Sequence, residues 1–316
     1  MQTNFLKDKR VWAVLYVIFG ALALVSLIQG CRNAMMFSND FQWDAVKVFT
    51  MRMNPYTESL TPTNLLAQYH AAEQFGPMAA NQFPSLLMLL IPYTFLLPQT
   101  AKYAWLFSNL VFTGMIILLL RKTFLKELPK NLFIVLILLM IAGTPYRNQL
   151  GVGQHTLFSF AFFLLAVYFT EQPRGSIPVT LCLAVSYFKY TLTAPLALYF
   201  IYKRKWKELF ASVGIHVILT GAAALWLQTD FLDMLLLPLK VSGALAAEGG
   251  IDLGALLNGS PVAYLLAVAV MGLLLFITLR MPKQQDALLI GLLTLWSLII
   301  TYHRTYDFFV LIIVAA

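Results

Sequence analysis

Charged side chains are scarce in this sequence, 11% of 316 residues, where a soluble domain carries about 25%. That shortage excludes an ordinary soluble enzyme, a disordered chain and a nucleic-acid-binding domain, despite a net charge of +8. In a membrane protein a basic excess marks loops held on the cytoplasmic side. Two cysteines cannot build a disulfide framework. Cys31 ends an apolar run and Cys182 lies within one. The four histidines are scattered and lack the spacing of a zinc site. Also missing are a glycine-rich phosphate loop and a serine nucleophile elbow, and no inverted pair of broken helices of the transporter kind stands out. Neither a metal nor another cofactor is implied.

Hydrophobic residues, by contrast, fill 60% of the chain. About 20 of them in a row cross a hydrocarbon layer of about 30 Å. Runs at 11–30, 103–120, 131–146, 155–170, 190–202, 209–227, 261–279 and 287–302 meet or approach that length. Shorter runs cover 177–188 and 83–97, the second interrupted by Pro92. The pattern predicts an all-α polytopic membrane protein, a single domain over residues 1–316 with about 9–11 membrane helices. The run at 11–30 exceeds the apolar core of a signal peptide and reads as the first span. Phe308–Ala316 is apolar but reaches only about 14 Å as a helix, which suggests a chain cut on its C-terminal side.

Basic residues orient the spans. Fourteen lie in 1–10, 121–130 and 203–207 or at Arg174, Arg280 and Lys283, and seven lie in the alternate segments. The first group is expected in the cytoplasm. Residues 31–82 are then external and 121–130 internal, so only one crossing separates them. The proline-broken 83–97 is expected not to cross, as a re-entrant or interfacial segment covered by other helices.

This arrangement puts most of the unusual polar residues on the external side. In the loop 31–82, Phe41, Ala45, Val48 and Phe49 follow helical spacing and suggest an amphipathic helix lying on the bilayer. A second is expected from Thr61-Pro62, with Leu65, Leu66, Tyr69 and Ala72 as its stripe. Thr144–His155 reads as a turn between spans, and 228–260 as a longer loop. Ionisable groups near membrane depth are functional candidates by default, each with a structural alternative. Asp40 is either a helix cap or a reactive carboxylate. Asp44 suits a helix dipole. Lys189 snorkels or binds an anion. Arg147 and His155 are interfacial residues or ligands, and His303-Arg304 with Asp307 is an ion pair or a site. His216, alone among apolar residues, reads as a satisfied core histidine.

In order, the chain shows Ser38-Asn39-Asp40-Phe41, Arg52-Met53-Asn54-Pro55-Tyr56, Gln82-Phe83-Pro84-Ser85-Leu86, Gly153-Gln154, Phe188-Lys189-Tyr190-Thr191 and Tyr302-His303-Arg304-Thr305-Tyr306-Asp307. This series resembles glycosyltransferase family 87, of the GT-C class of integral membrane glycosyltransferases, over roughly residues 35 to 310. Three positions depart from the family pattern. Met53 stands where it often has glycine, Gln82-Phe83-Pro84 where it has Tyr-Pro-Pro, and Lys189-Tyr190 where it has Lys-Pro.

The resemblance implies a sugar donor linked to polyprenyl phosphate, used on the external face of the cell membrane. The sugar would be mannose- or arabinofuranose-like and the acceptor a lipid or glycan hydroxyl. The loop 31–82 becomes the catalytic loop, with Asp40 as base. The chemistry fits independently. A glycosyl phosphate already carries a good leaving group, so one carboxylate that takes the acceptor's proton suffices. Cations then stabilise the departing phosphate, and Lys189, His303 and Arg304 are the candidates. Asp44, Tyr56, Gln154, His155 and Asp307 are expected as substrate contacts. A lipid or solute transporter or flippase is the rival reading, but transport favours charges in mid-span, whereas here they collect near one face.

Overall fold

The computed structural model describes residues 8–38, 41–60, 80–173, 175–247, 252–257, 260–280, 286–301 and 303–315. Among these residues every regular element is helical. The chain runs α1 (Lys9–Phe37), α2 (Trp43–Thr50), α3 (Pro55–Leu60), α4 (Pro84–Leu90), α5 (Pro98–Thr123), α6 (Lys130–Ala142), α7 (Thr144–Val152), α8 (Thr156–Thr170), α9 (Ser176–Ser186), α10 (Tyr190–Leu196), α11 (Leu198–Tyr202), α12 (Trp206–Leu227), α13 (Phe231–Ala247), α14 (Leu253–Leu256), α15 (Pro261–Arg280) and α16 (Asp286–Ile300). A 3₁₀ helix over Thr305–Ala315 follows.

Among the described residues, four stretches are long and apolar enough to cross a membrane: α1, α5, the continuous path Ser176–Leu196, and α12. The pair α6–α7 makes a fifth if counted as one span, bent by 54°. Lipid-facing side chains remain exposed on these helices, including Val17 and Ile18 on α1, Phe107 and Leu118 on α5, and Phe210 and Ile218 on α12. This is the expected signature of an apolar solvent, since a protein in water leaves no such bands uncovered. The chain is a polytopic α-helical membrane protein.

The bend has a local cause. Gly143 caps the end of α6, and Pro145 sits in the first turn of α7, where a missing N–H costs nothing. The expected turn Thr144–His155 is therefore mostly helix, closed at Gly153. Likewise 228–260 holds the helix α13 where the sequence suggested a loop. Its leucine-rich stretch has a weak period, and Pro238 inside it masks the helical signal.

Small residues let α1 approach its neighbours. Ala23, Ser26, Gly30 and Ala34 form its buried stripe, and a Cβ on Gly30 would come within 3.2 Å of the Arg147 carbonyl and of Leu150. Close backbone approach through small residues is the usual basis of helix packing in lipid. The centre of the bundle is aromatic and aliphatic, with Phe160, Phe163, Leu164, Tyr199 and Phe200 fully buried.

The segment 83–97 forms α4, continued by a 3₁₀ turn over Ile91–Phe95, before α5 starts at Pro98. Its twelve or so residues reach about 18 Å, short of the hydrocarbon thickness. Helix α2 differs from its expected placement. Phe41, Ala45, Val48 and Phe49 are buried against α3, α4 and the 3₁₀ turn, so the apolar stripe faces protein and not lipid. Two indoles fix it: Trp43 Nε1 donates to the Tyr93 carbonyl at 3.1 Å, and Trp226 Nε1 donates to the Phe49 carbonyl at 3.0 Å. The second predicted amphipathic helix, from Thr61, lies outside the described residues.

At one end of the bundle Lys203 Nζ meets Asp286 at 2.7 Å and Glu171 at 3.1 Å, which ties the basic turn 203–205 to the start of α16 and the end of α8. At the other end lies a buried polar cluster.

Candidate active site

Asp307 is the hub of this cluster. It stands in the first turn of the terminal 3₁₀ helix and is completely buried. Lys189 Nζ approaches its Oδ1 at 2.8 Å, and Thr156 donates its hydroxyl to the same oxygen. His303 Nδ1 lies 3.0 Å from Oδ2, and the Arg304 backbone N–H donates to Oδ2 at 3.3 Å. Lys189 also reaches Gln154 Oε1 at 3.4 Å and lies 4.9 Å from the centre of the Tyr306 ring, a cation–π contact. Its backbone N–H donates to Ser159 Oγ at 2.8 Å, which pins the short 3₁₀ turn Tyr187–Lys189 to α8.

Thr301 Oγ1 lies 2.7 Å from the carbonyl oxygens of Thr191 and Ser297 and 3.0 Å from His303 Nε2. An ionised carboxylate only accepts, so His303 Nδ1 directs a proton towards Asp307 Oδ2. The cluster sets the Lys189 ammonium and the His303 imidazole against one carboxylate. Such donors favour a nearby anion, because low dielectric strengthens every charge interaction.

Beside it, the turn after α7 receives the segment that joins α1 to α2. Ser38 Oγ donates to the Val152 carbonyl at 2.5 Å, and Trp105 Nε1 donates to the Gly153 carbonyl at 2.7 Å. Phe41 stacks on Trp105 with ring centres 6.0 Å apart. His155 is wedged against Phe188 and Trp105, at 4.5 and 5.5 Å between ring centres. Gln82 Nε2 lies 3.4 Å from its Nδ1. Burial pulls the His155 imidazole down to about 3, the Phe41 backbone opposes that, and the Lys189 charge adds to it. His155 is thus neutral at physiological pH. The Tyr56 hydroxyl donates to the Gln82 carbonyl at 2.6 Å, bracing this wall from α3.

The structure brings together Lys189, His303, Asp307, Gln154 and His155, which the sequence supplies from three distant stretches. The Arg304 side chain is exposed, and its backbone N–H donates to Asp307. Tyr56 is buried one layer behind the cluster. Asp44 lies in the first turn of α2, half-buried. Asp40 lies outside the described residues, between Ser38 and Phe41 in the sequence. Helix α2 begins at Trp43, with Gln42 as its N-cap in the left-handed region, φ 67°. Thr156, Ser159 and Thr301 complete the cluster without any sequence signal except adjacency to recognised motifs, since small hydroxyl residues abound in membrane helices. His216 has both nitrogens satisfied, by Ser85 Oγ at 2.6 Å and the Ala184 carbonyl at 2.9 Å.

An apolar groove of about 400 Å³ runs from Phe83 and Tyr190, beside Lys189 in the chain, past Ala194 and Leu198 to Ile201, with Val213 and Val217 of α12 on its other wall.

Comparison with known proteins gives one family. The sequence model of glycosyltransferase family 87 matches residues 84–302, most of the chain. The match takes in Gln154, His155 and Lys189, stops just short of His303, and begins after the loop that carries Asp40. No curated protein and no solved structure matches the chain. The helical membrane architecture and the family match agree: the chain belongs to glycosyltransferase family 87 and is a membrane glycosyltransferase.

Proposed function

We propose that the protein transfers a mannose- or arabinofuranose-like sugar from a polyprenyl-phosphate donor to a lipid or glycan hydroxyl at the external face of the cell membrane. The observation that carries this reading is the buried Lys189–Asp307–His303 cluster. Lys189 and His303 converge there at the opposite end of the bundle from the basic turn 203–205. The Lys189 ammonium and the His303 imidazole suit the phosphate of a lipid-linked donor, and the apolar groove lined by Tyr190, next to Lys189 in the chain, suits its hydrocarbon tail. Arg304, exposed at the rim, adds charge for the same phosphate.

In this reading Asp40 is the general base in the catalytic loop 31–82. It takes the proton of the acceptor hydroxyl as that oxygen attacks the anomeric carbon. The bond from that carbon to the phosphate oxygen breaks, and the electron pair leaves with polyprenyl phosphate, whose charge Lys189 and His303 stabilise. A single displacement inverts the anomeric configuration, with no covalent enzyme intermediate. Gln154 and His155 line the wall nearest the donor, and Asp44 and Tyr56 support the acceptor side.

The test is incubation of the purified protein in nanodiscs with a panel of polyprenyl-phosphate sugars and membrane lipid extract, following sugar transfer by mass. Transfer with inverted configuration from a polyprenyl-phosphate sugar supports the reading. Transfer only from nucleotide sugars removes the lipid-donor assignment. Movement of a labelled lipid across the bilayer without transfer favours the flippase reading.

A further inference from the structure

We propose that the turn Val152–His155 is a positioning element that sets the distance between the α1–α2 junction and the Lys189–Asp307 cluster, with Gly153 as its gauge. The inference rests on the transferase reading, because the distance matters only if the two sides act on one substrate.

The turn has two faces. One holds the junction: Val152 accepts from Ser38, Gly153 accepts from Trp105, which in turn stacks on Phe41, and the Phe41 backbone faces His155. The other face holds the cation: Gln154 Oε1 accepts from Lys189 Nζ. The turn itself is stiffened by Gln149 Nε2, which donates to the Gln154 carbonyl from one turn back in α7. Three consecutive residues thus touch both halves of the site, through the short Ser38 side chain and the Trp105 indole on the junction side.

Gly153 makes that contact close. Its φ is +79°, which L residues rarely adopt. A Cβ added there would fall well inside contact distance of Ser38 Oγ, with Trp105 Cδ1 at 3.5 Å and Ser38 Cβ at 3.6 Å as ordinary neighbours. Of the nearest atoms, the Ser38 hydroxyl is the one a side chain would collide with, in addition to the strain of the positive φ. Any Cβ at 153 must displace the Ser38 hydroxyl, the group by which the junction is held on the Val152 carbonyl. Misplacement by about 1 Å between reacting groups costs about 10²-fold in rate, while the Lys189–Asp307–His303 contacts stay in place.

The experiment uses the full chain in nanodiscs, with Gly153→Ala, Gly153→Asn, Ser38→Ala and each Gly153 variant combined with Ser38→Ala. Asparagine tolerates a left-handed backbone, so it separates the added Cβ from the dihedral. Both single Gly153 variants are expected to lose at least about tenfold in kcat, with donor KM changed less than about twofold. Ser38→Ala is expected to lose little alone and to restore most of the kcat in combination. In parallel, 5-fluorotryptophan at position 105 reports the turn by its ¹⁹F shift, which should move in the Gly153 variants and return in the doubles. A normal kcat in Gly153→Ala overturns the proposal, and so does a double variant no better than the single, which would reduce Gly153 to a backbone requirement. If no donor is turned over by the unmodified protein, the transferase reading fails by itself. The fluorine shifts then still decide whether Gly153 and Ser38 are in steric contact.

Discussion

Lys189 Nζ lies 2.8 Å from Asp307 Oδ1, and the same carboxylate holds His303 at 3.0 Å. Asp307 is fully buried, and the Lys189 side chain is only 13% exposed. The three residues form one electrostatic unit whose members cannot be removed independently. Their arrangement ties the end of α9 to the start of the terminal 3₁₀ helix, so a stability role and a phosphate-binding role share the same atoms.

Charge removal should separate those roles. Asp307→Asn leaves the Lys189 ammonium without its carboxylate, and Lys189→Met leaves a buried carboxylate short of its main partner. Breaking a buried pair from one side costs about 3–5 kcal/mol, so both variants should show clearly lower thermal unfolding midpoints. The double variant Lys189→Met with Asp307→Asn should recover much of that loss and still bind donor poorly. Single variants as stable as the parent would mean that the pair is not under electrostatic load.

The membrane architecture is legible in the sequence because apolar runs of sufficient length have no other use, and the positions of α1, α5 and α12 follow directly from them. The bend at Gly143 is harder to read, because Thr144-Pro145 signals a turn and a helix start equally well. Helix α13 is hidden by Pro238 and by a stripe that lacks a clean period. Within the site, Lys189, His303 and Asp307 are visible because charge is rare in this chain. That Asp307 is the hub is not visible, since hydrogen-bond partners such as Thr156 and Thr301 look like any other membrane threonine. The apolar stripe of α2 is readable, but periodicity alone cannot tell whether such a stripe faces lipid or protein.

Sidedness is open to chemical labelling. Single cysteines at Lys126 and Lys205, in a background with Cys31 and Cys182 replaced, should react with a membrane-impermeant maleimide only from the cytoplasmic side. A cysteine at Glu58 should react only from outside. The expectation follows from the fourteen-to-seven division of basic residues and from the shortness of α4 and its 3₁₀ extension. External labelling at Lys126 would require two crossings between residues 83 and 120 and would discard the non-crossing reading of α4.

Acid should loosen the wall that His155 forms. Burial lowers its pKa from 6.5 to about 3 in the folded protein. Between those values the unfolded chain binds the extra proton and the folded one does not, so stability falls as pH falls through that window. The slope from this one group approaches about 1.4 kcal/mol per pH unit. The apparent unfolding midpoint of the parent should drop more steeply from pH 7 to pH 5 than that of His155→Gln. Parallel slopes would show that His155 takes up its proton without disturbing the fold.

The sharpest chemical test concerns two carboxylates. Asp40 precedes α2, and Asp44 sits in its first turn, where a negative charge suits the helix dipole. Asn caps a helix about as well as Asp, so loss of a cap would not by itself explain a defect in Asp40→Asn. Asp40→Asn keeps the side-chain shape and removes the ability to take a proton. Loss of a general base costs about 10²–10⁴ in rate, or about 3–5 kcal/mol on the barrier. Sugar transfer should nearly vanish in this variant while insertion and unfolding midpoint stay close to the parent. Asp44→Asn should lose a few tenths of a kcal/mol of helix stabilisation and retain most activity. Measuring kcat and unfolding midpoint for both variants in the same nanodisc preparation decides the matter. An active Asp40→Asn protein would remove Asp40 from the reaction, and a dead Asp44→Asn protein beside it would move the base one helical turn along the chain.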